Sequence, residues 1–178
     1  MSRTKLNDSF YFITNSTFLK KPLFNADGKK EILLKQFKHI KDKYKIPFCA
    51  YSIADDHYHI LIYLKYYNLL SKTMQLLHGR SSYYLNKIEK VERSIWSNYW
   101  SIIIENDDAF YRVLGYIIGN PLKHNIVKNF AELEKYKYCS FKQTKDKIGL
   151  DLAIDLIGDV IELDFEEERS FNNWTCAH

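Results

Sequence analysis

The feature of the sequence that most constrains the fold is a pair of β-forming runs with only four residues between them. The runs Phe48–Ile53 and 58–64 flank the polar segment Ala54-Asp55-Asp56-His57. Because so short a connection joins antiparallel neighbours, the pattern predicts a β-hairpin. Alternate side chains of a strand share a face, so His57 and His59 should project side by side where the second strand begins.

Helical patterns lie on both sides of this hairpin. Apolar residues recur at helical spacing over Asp27–Tyr44, ending before Pro47, and again over residues 69–88. We expect further strands at 10–14 and 99–104, and further helices at 109–119 and 151–161, while residues 172–178 should fray. The order βαββαβα predicts an α+β chain. We expect a ferredoxin-like βαββαβ antiparallel sheet with both long helices on one face, plus an added C-terminal helix.

Composition limits the class of protein. With 178 residues, 46% of them hydrophobic, the chain should form one main core. The net charge is +4, with lysines crowded over 20–45 and an acidic last third. This asymmetry is typical of nucleic-acid binders, although ordinary solvated helix faces explain it equally well. Three cysteines lack metal-site spacing, and neither a signal segment nor a membrane span is evident, which favours a cytoplasmic protein.

Two short patterns carry the candidate chemistry. The two histidines are either polar residues on a solvated face or converging metal ligands, since neutral imidazole binds metals readily. Tyr116 and Asn120 are four residues apart and should share one helix face. Pro121 disfavours the α conformation at Asn120, so the helix is predicted to end there. Spacing alone favours a core tyrosine and a capping asparagine.

Taken together, these patterns resemble a known family. His57-Tyr58-His59 resembles the HUH motif, and Tyr116-Ile-Ile-Gly-Asn120-Pro121 resembles the Tyr-Ile-x-x-Asn-Pro signature of single-tyrosine HUH transposases, especially the REP-associated tyrosine transposases. The resemblance spans a domain at 8–141 and leaves 142–178 as a C-terminal extension of unassigned role. The chain departs from relatives at Asp55-Asp56, where they carry Pro-Asn, and at His124-Asn125, where they carry Ala-Gly.

The resemblance implies a transposase-like enzyme that nicks single-stranded or hairpin DNA. Tyr116 would attack the phosphodiester and form a 5′-phosphotyrosine, while His57, His59 and Asn120 would hold a divalent metal, Mg or Mn. A phenol needs such activation because it is a weak nucleophile at neutral pH. The REP-associated branch implies a self-contained monomer, whereas the insertion-sequence relatives imply a dimer whose subunits exchange the tyrosine helix. Candidate phosphate contacts are Arg80, Lys87 and Lys123.

Two other functions remain open at this level. A non-catalytic nucleic-acid-binding module on the same fold would need stacking residues and a basic surface but no metal. A metal phosphodiesterase using activated water would keep the metal ligands and dispense with Tyr116. Exposed aromatics are expected to stack unpaired bases in the first two cases. The candidates are Tyr66, Tyr67, Trp96, Tyr99 and Trp100.

Overall fold

The computed structural model describes residues 6–161. Its regular elements are β1 (Ser9–Ser16), α1 (Asp27–Tyr44), β2 (Phe48–Ile53), β3 (His57–Leu64), α2 (Leu69–Glu89), β4 (Trp100–Ile104), α3 (Asp107–Lys123), α4 (Phe130–Lys135), α5 (Phe141–Ile148) and α6 (Leu150–Gly158), with a short 3-10 turn at Phe18–Lys20. The segment 172–178, expected to fray, lies outside the described residues.

The four strands form one antiparallel sheet in the order β2-β3-β1-β4. β2 and β3 make the predicted hairpin, and β1 lies between β3 and β4, with Thr14 opposite both His59 and Trp100. The helices α1 and α2 pack together on one face. The predicted ferredoxin-like arrangement is therefore confirmed.

Alternation along the central strands divides the core into two layers. Ile13 of β1 and Ile60 of β3 point towards α1 and α2. Their neighbours Phe12 and Leu61 point to the other face, where they pack with α3, α5 and α6. We call these two sides the α1/α2 face and the α3 face. Because both faces are covered by helices, the sheet is apolar on both sides.

The helix α3 runs past the expected stop. Asn106 caps its start by accepting a hydrogen bond from the Ala109 N–H, as the polar segment before it suggests. The helix ends at Lys123 rather than at Asn120, so the predicted boundary was wrong. Proline cannot donate to the carbonyl one turn earlier. The thiol of Cys139 lies against that turn, with its Sγ 3.9 Å from the oxygen of Ile117 and 3.4 Å from that of Ile118.

The chain after α3 buttresses that helix. α5 and α6 pack against it, and α6 matches the helix expected at 151–161, although the pattern did not reveal α5. A Cβ placed on Gly115 would lie 2.1 Å from the carbonyl oxygen of Leu156, so α3 and α6 are in backbone contact. None of the helices in residues 6–161 is both long and apolar enough to cross a membrane.

Candidate active site

The two histidines of β3 lie together at the N-terminal end of the strand. The centroids of the His57 and His59 rings are 4.9 Å apart. His57 pairs with Ser16 and His59 with Thr14, both near the end of β1. The hairpin thus brings the two imidazoles side by side, as the alternation predicts.

The helix α3 brings Tyr116 to this pair. Its hydroxyl oxygen is 3.2 Å from Nε2 of His59, and the two ring centroids are 4.9 Å apart. Phe12 lies beneath both, stacked on His59 and edge-on to Tyr116. Only 3% of Tyr116 is exposed, so its position is set by the α3 face.

Asn120 lies one turn further along the same helix face. It is completely buried, and the Ser52 hydroxyl donates a 3.5 Å hydrogen bond to its Oδ1. Ser52 is the β2 neighbour of His59 across the hairpin. Tyr116 and Asn120 therefore face one small region of the sheet, centred on His59.

Two polar atoms in this region are buried without a hydrogen-bond partner. They are Nδ1 of His59 and Nδ2 of Asn120. Buried polar atoms normally form hydrogen bonds. A buried polar atom without one costs free energy unless a ligand supplies the missing partner. Within residues 6–161, no three His, Cys, Asp or Glu side chains are grouped to hold a metal ion. Of the two unpaired atoms, Nδ2 of Asn120 is a donor and cannot bind a cation, so a metal here would take the Asn120 Oδ1 beside the two imidazoles. This mixed N and O set suits Mn or Mg.

Burial also controls the protonation of His59. The pKa of this imidazole lies well below its ordinary value because burial penalises the charged ring, and the nearby His57, His124 and Lys123 add to the effect. His59 is therefore neutral at physiological pH. A neutral imidazole is the form that binds a metal.

A carboxylate and a third histidine surround His57. Asp56 Oδ1 is 2.6 Å from Nδ1 of His57, and this hydrogen bond lowers the pKa of the Asp56 carboxyl. The His124 ring centroid is 4.7 Å from that of His57. Desolvation, followed by repulsion from His57, lowers the pKa of His124 to about 4. Sequence reasoning assigned His124 no role, and the only signal for it was the departure from relatives at this position.

Comparison with known proteins identifies the family of this chain. A family model described as "Transposase IS200 like" matches residues 7–120, which is more than half of the chain and includes both histidines, Tyr116 and Asn120. The chain belongs to the IS200-like transposase family. No curated protein matches it.

A solved structure supports the fold of this IS200-like transposase. A REP-associated tyrosine transposase bound to a REP hairpin is 16% identical, with a TM-score of 0.71 over 86% of this chain and 88% of that one. A transposase-like protein from Deinococcus radiodurans R1 is also 16% identical, with a TM-score of 0.45 over 66% of this chain and 94% of that one. At this identity the first similarity shows the fold alone.

The three basic residues expected to contact phosphates fall in two places in this IS200-like transposase. Lys123 ends α3, and its Nζ lies 5.7 Å from the centroid of the Tyr116 ring. Arg80 and Lys87 belong to α2 on the other side of the sheet. Arg80 donates a 2.7 Å hydrogen bond to Gln36, and Lys87 lies over the ring of Tyr83. Lys123 is thus at the candidate site, whereas the other two are not.

Proposed function

We propose that this IS200-like transposase is a metal-dependent DNA strand transferase whose nucleophile is Tyr116. The observation that carries the proposal is the 3.2 Å contact between the Tyr116 hydroxyl and His59. Among the buried tyrosines, Tyr58 and Tyr138 pack on the α1/α2 face instead. We take the active form to be a self-contained monomer, as the resemblance to the REP-associated branch implies.

In the proposed reaction, the Tyr116 oxygen attacks a DNA phosphorus. The phenolic proton is lost, the bond from phosphorus to the 3′ oxygen breaks, and that oxygen leaves as a 3′-hydroxyl. The products are a 5′-phosphotyrosine and a free 3′ end. Because one phosphoester bond replaces another, the strand can be rejoined to another end without ATP.

The remaining residues bind and orient. His57, His59 and Asn120 would hold a divalent ion, Mg or Mn, which when bound stabilises the charge on the non-bridging oxygens. Asp56 fixes the His57 ring through Nδ1, which leaves Nε2 for a ligand. Lys123 adds positive charge beside Tyr116.

The substrate class follows from the family and from the solved relative. That relative is a tyrosine transposase bound to a hairpin, and we infer that this chain acts on single-stranded or hairpin DNA as well. A strand transferase needs an accessible phosphodiester, which unpaired flanks of a hairpin provide. Arg80 and Lys87 would contact such DNA only where it extends to α2.

The experiment is a nicking assay with Tyr116→Phe. Labelled hairpin oligonucleotides with randomised single-stranded flanks are incubated with the protein and Mn²⁺, then resolved on a denaturing gel. The parent should form a covalent protein–DNA adduct that EDTA prevents. Tyr116→Phe should bind Mn²⁺ like the parent and form no adduct. Tyr111→Phe is the matched control, since Tyr111 lies on the same helix but is exposed.

Each alternative has its own result in this assay. Strand cleavage without an adduct, unchanged in Tyr116→Phe, would indicate a phosphodiesterase that uses water. DNA binding with no cleavage under any divalent ion would indicate a non-catalytic module. An adduct that survives Tyr116→Phe would mean that another tyrosine is the nucleophile.

A further inference from the structure

The turn after β1 exposes two apolar side chains beside a pair of lysines. Phe18 is 48% exposed and Leu19 70% exposed. Lys20 and Lys21 follow at once, and within the described part of the chain neither is found in an ion pair. We call residues 17–21 the β1 turn. Its surface combines an aromatic ring, an aliphatic side chain and two positive charges.

The backbone of the β1 turn adopts an unfavourable conformation. Leu19 has a φ of 59° and Lys20 a φ of 52°. Left-handed backbone is rare for residues other than glycine, asparagine and aspartate, and a bulky residue there is an outlier. Such outliers persist where the surroundings enforce them and cluster at functional sites. In this strained conformation the Leu19 side chain faces solvent, so packing contributes little to stabilising it.

Four hydrogen bonds hold the β1 turn in this shape. The Thr17 hydroxyl donates to the Lys21 carbonyl at 2.6 Å, and the Lys20 N–H donates to the Thr17 carbonyl at 3.0 Å. The Phe18 N–H donates to the Ile95 carbonyl at 2.8 Å, and the Ser97 hydroxyl donates to the Thr17 carbonyl at 3.3 Å. These hydrogen bonds hold the backbone that carries the exposed side chains of Phe18 and Leu19.

The backbone of the β1 turn is also hydrogen-bonded to the segment that carries the first histidine of the candidate active site. The Thr17 N–H donates to the carbonyl of Asp56 at 2.7 Å, and the Phe24 N–H donates to the carbonyl of Asp55 at 2.8 Å. Asp56 in turn holds His57. The β1 turn is thus joined by backbone hydrogen bonds to the residue that precedes the first histidine.

We propose that the β1 turn is a binding surface for an unpaired DNA base next to the phosphate that Tyr116 attacks. This inference rests on the proposed function and names the part of the substrate that the site reads. Phe18 would stack on the base and Leu19 would pack against its edge. Lys20 and Lys21 would contact the flanking phosphates. Aromatic stacking combined with positive charge is the usual way in which proteins hold single-stranded DNA.

Charge and position favour DNA over a protein partner. An apolar pair that docked a protein would need no paired lysines beside it, and it could lie anywhere on the surface. The β1 turn instead lies next to the histidine pair. Tyr66 was also named from the sequence as a stacking candidate, but it lies beyond Leu64, at the opposite end of β3 from His57. Its ring is exposed and has Lys65 over it. Because the structure separates Tyr66 from the candidate site, it provides a matched control.

The first test compares Phe18→Ala with Tyr66→Ala. The probe is a fluorescent single strand of sixteen thymidines, whose affinity is measured by anisotropy at fixed low salt. Loss of one stacked base by alanine substitution weakens binding by about 5- to 150-fold. We expect a loss in this range for Phe18→Ala, full rescue by Phe18→Tyr, and no change for Tyr66→Ala. Equal affinities of Phe18→Ala and the parent would overturn the proposal.

Leu19→Gly separates binding from folding. Glycine adopts the left-handed backbone without strain, so the melting temperature should stay the same or rise. Affinity for the thymidine strand should nevertheless fall, because the apolar contact is lost. If affinity is unchanged while the melting temperature rises, Leu19 has no role in binding DNA and the proposal is wrong.

Photocrosslinking locates the base. A strand carrying one 5-iodouracil at successive positions is bound to the Tyr116→Phe protein, irradiated, and digested for peptide mapping. The adduct should fall on residues 17–21 for one position of the base only. Crosslinks elsewhere at every position would overturn the proposal. If crosslinks fall on the β1 turn but the parent forms no phosphotyrosine, the binding surface stands and the strand-transfer chemistry does not.

Discussion

Each face of the sheet holds a histidine packed among other side chains, His59 fully buried and His78 partly buried, and the two have different hydrogen-bond partners. On the α1/α2 face, Nε2 of His78 lies 2.7 Å from the Tyr58 hydroxyl and 3.2 Å from Nδ2 of Asn15, while its ring packs on Trp96. On the α3 face, Nε2 of His59 contacts Tyr116 and Nδ1 has no partner.

Protonation state does not distinguish the two histidines. Desolvation lowers the pKa of His78 to about 4 and the pKa of His59 well below its ordinary value, so both are neutral at physiological pH. Unpaired atoms alone do not distinguish the faces either, because Oδ1 of Asn15 also lacks a partner. The α3 face differs in that a histidine and an amide, each with an unpaired atom, share a helix-covered region in which a tyrosine hydroxyl lies 3.2 Å from the histidine. A buried histidine thus indicates a reactive site only together with its neighbours.

The largest expected effect tests directly whether His59 and His78 differ in function. His59→Gln should reduce adduct formation by about 100-fold or more, because metal stabilisation of the transition state amounts to several kcal/mol. His78→Gln should cleave like the parent and lose about 1 to 2 kcal/mol of unfolding free energy, since it disturbs a buried hydrogen bond. Adduct yield and urea denaturation measure the two effects. Equal loss of cleavage in both variants would mean that the two histidines share one role.

Two glycines test how tightly the helices of each face are packed. Alanine at Gly79 of α2 meets nothing within 4 Å, so Gly79→Ala should stabilise the protein by about 0.5 to 1 kcal/mol. Alanine at Gly115 of α3 would strike the Leu156 carbonyl, and Gly115→Ala should cost about 3 kcal/mol. Adduct formation should fall with it, because Tyr116 is the next residue. Thermal melts of both variants that shift in the same direction would refute the α3–α6 contact.

Acid should destabilise the α1/α2 face through His78. The folded pKa of about 4 lies below the unfolded value near 6.5, so the unfolded state binds the proton first. Stability is therefore complete above pH 6.5 and falls as the pH drops towards 4, by up to about 3 kcal/mol. Urea titrations at several pH values should show this slope, and His78→Gln should make it shallower, with the remainder due to His59 and His124, whose pKa values are also lowered. An unchanged slope in the variant would assign the acid sensitivity to other groups.

A further comparison concerns the two aspartates before His57. Asp56 contacts His57, whereas Asp55 forms a 2.6 Å ion pair with Lys30. Asp56→Asn should weaken Mn²⁺ binding by about 10- to 100-fold, because a carboxylate orients the imidazole ligand and raises its basicity. Asp55→Asn should leave it unchanged. Calorimetric titration with Mn²⁺ gives both affinities, and a comparable loss in both variants would point to bulk charge instead.

Local sequence rules predicted most of the fold. The helix Asp27–Tyr44 and the strand Phe48–Ile53 have the predicted bounds, because each is set by periodicity and by a nearby Pro47. The end of α3 was missed because Pro121, expected to stop the helix, is accommodated inside it and the helix continues to Lys123. The helix α5 was also missed, being short and rich in lysine.

What the sequence determined by itself is which residues share a face. The spacing of His57 with His59 and of Tyr116 with Asn120 follows from the periods of a strand and a helix, which are local properties. Only the tertiary structure decided that the tyrosine hydroxyl meets His59, that Asp56 rather than Asp55 holds His57, and that Phe18 and Leu19 lie beside the site. Those relations depend on how elements pack across the sheet and on single hydrogen bonds between distant segments, and no local pattern encodes them.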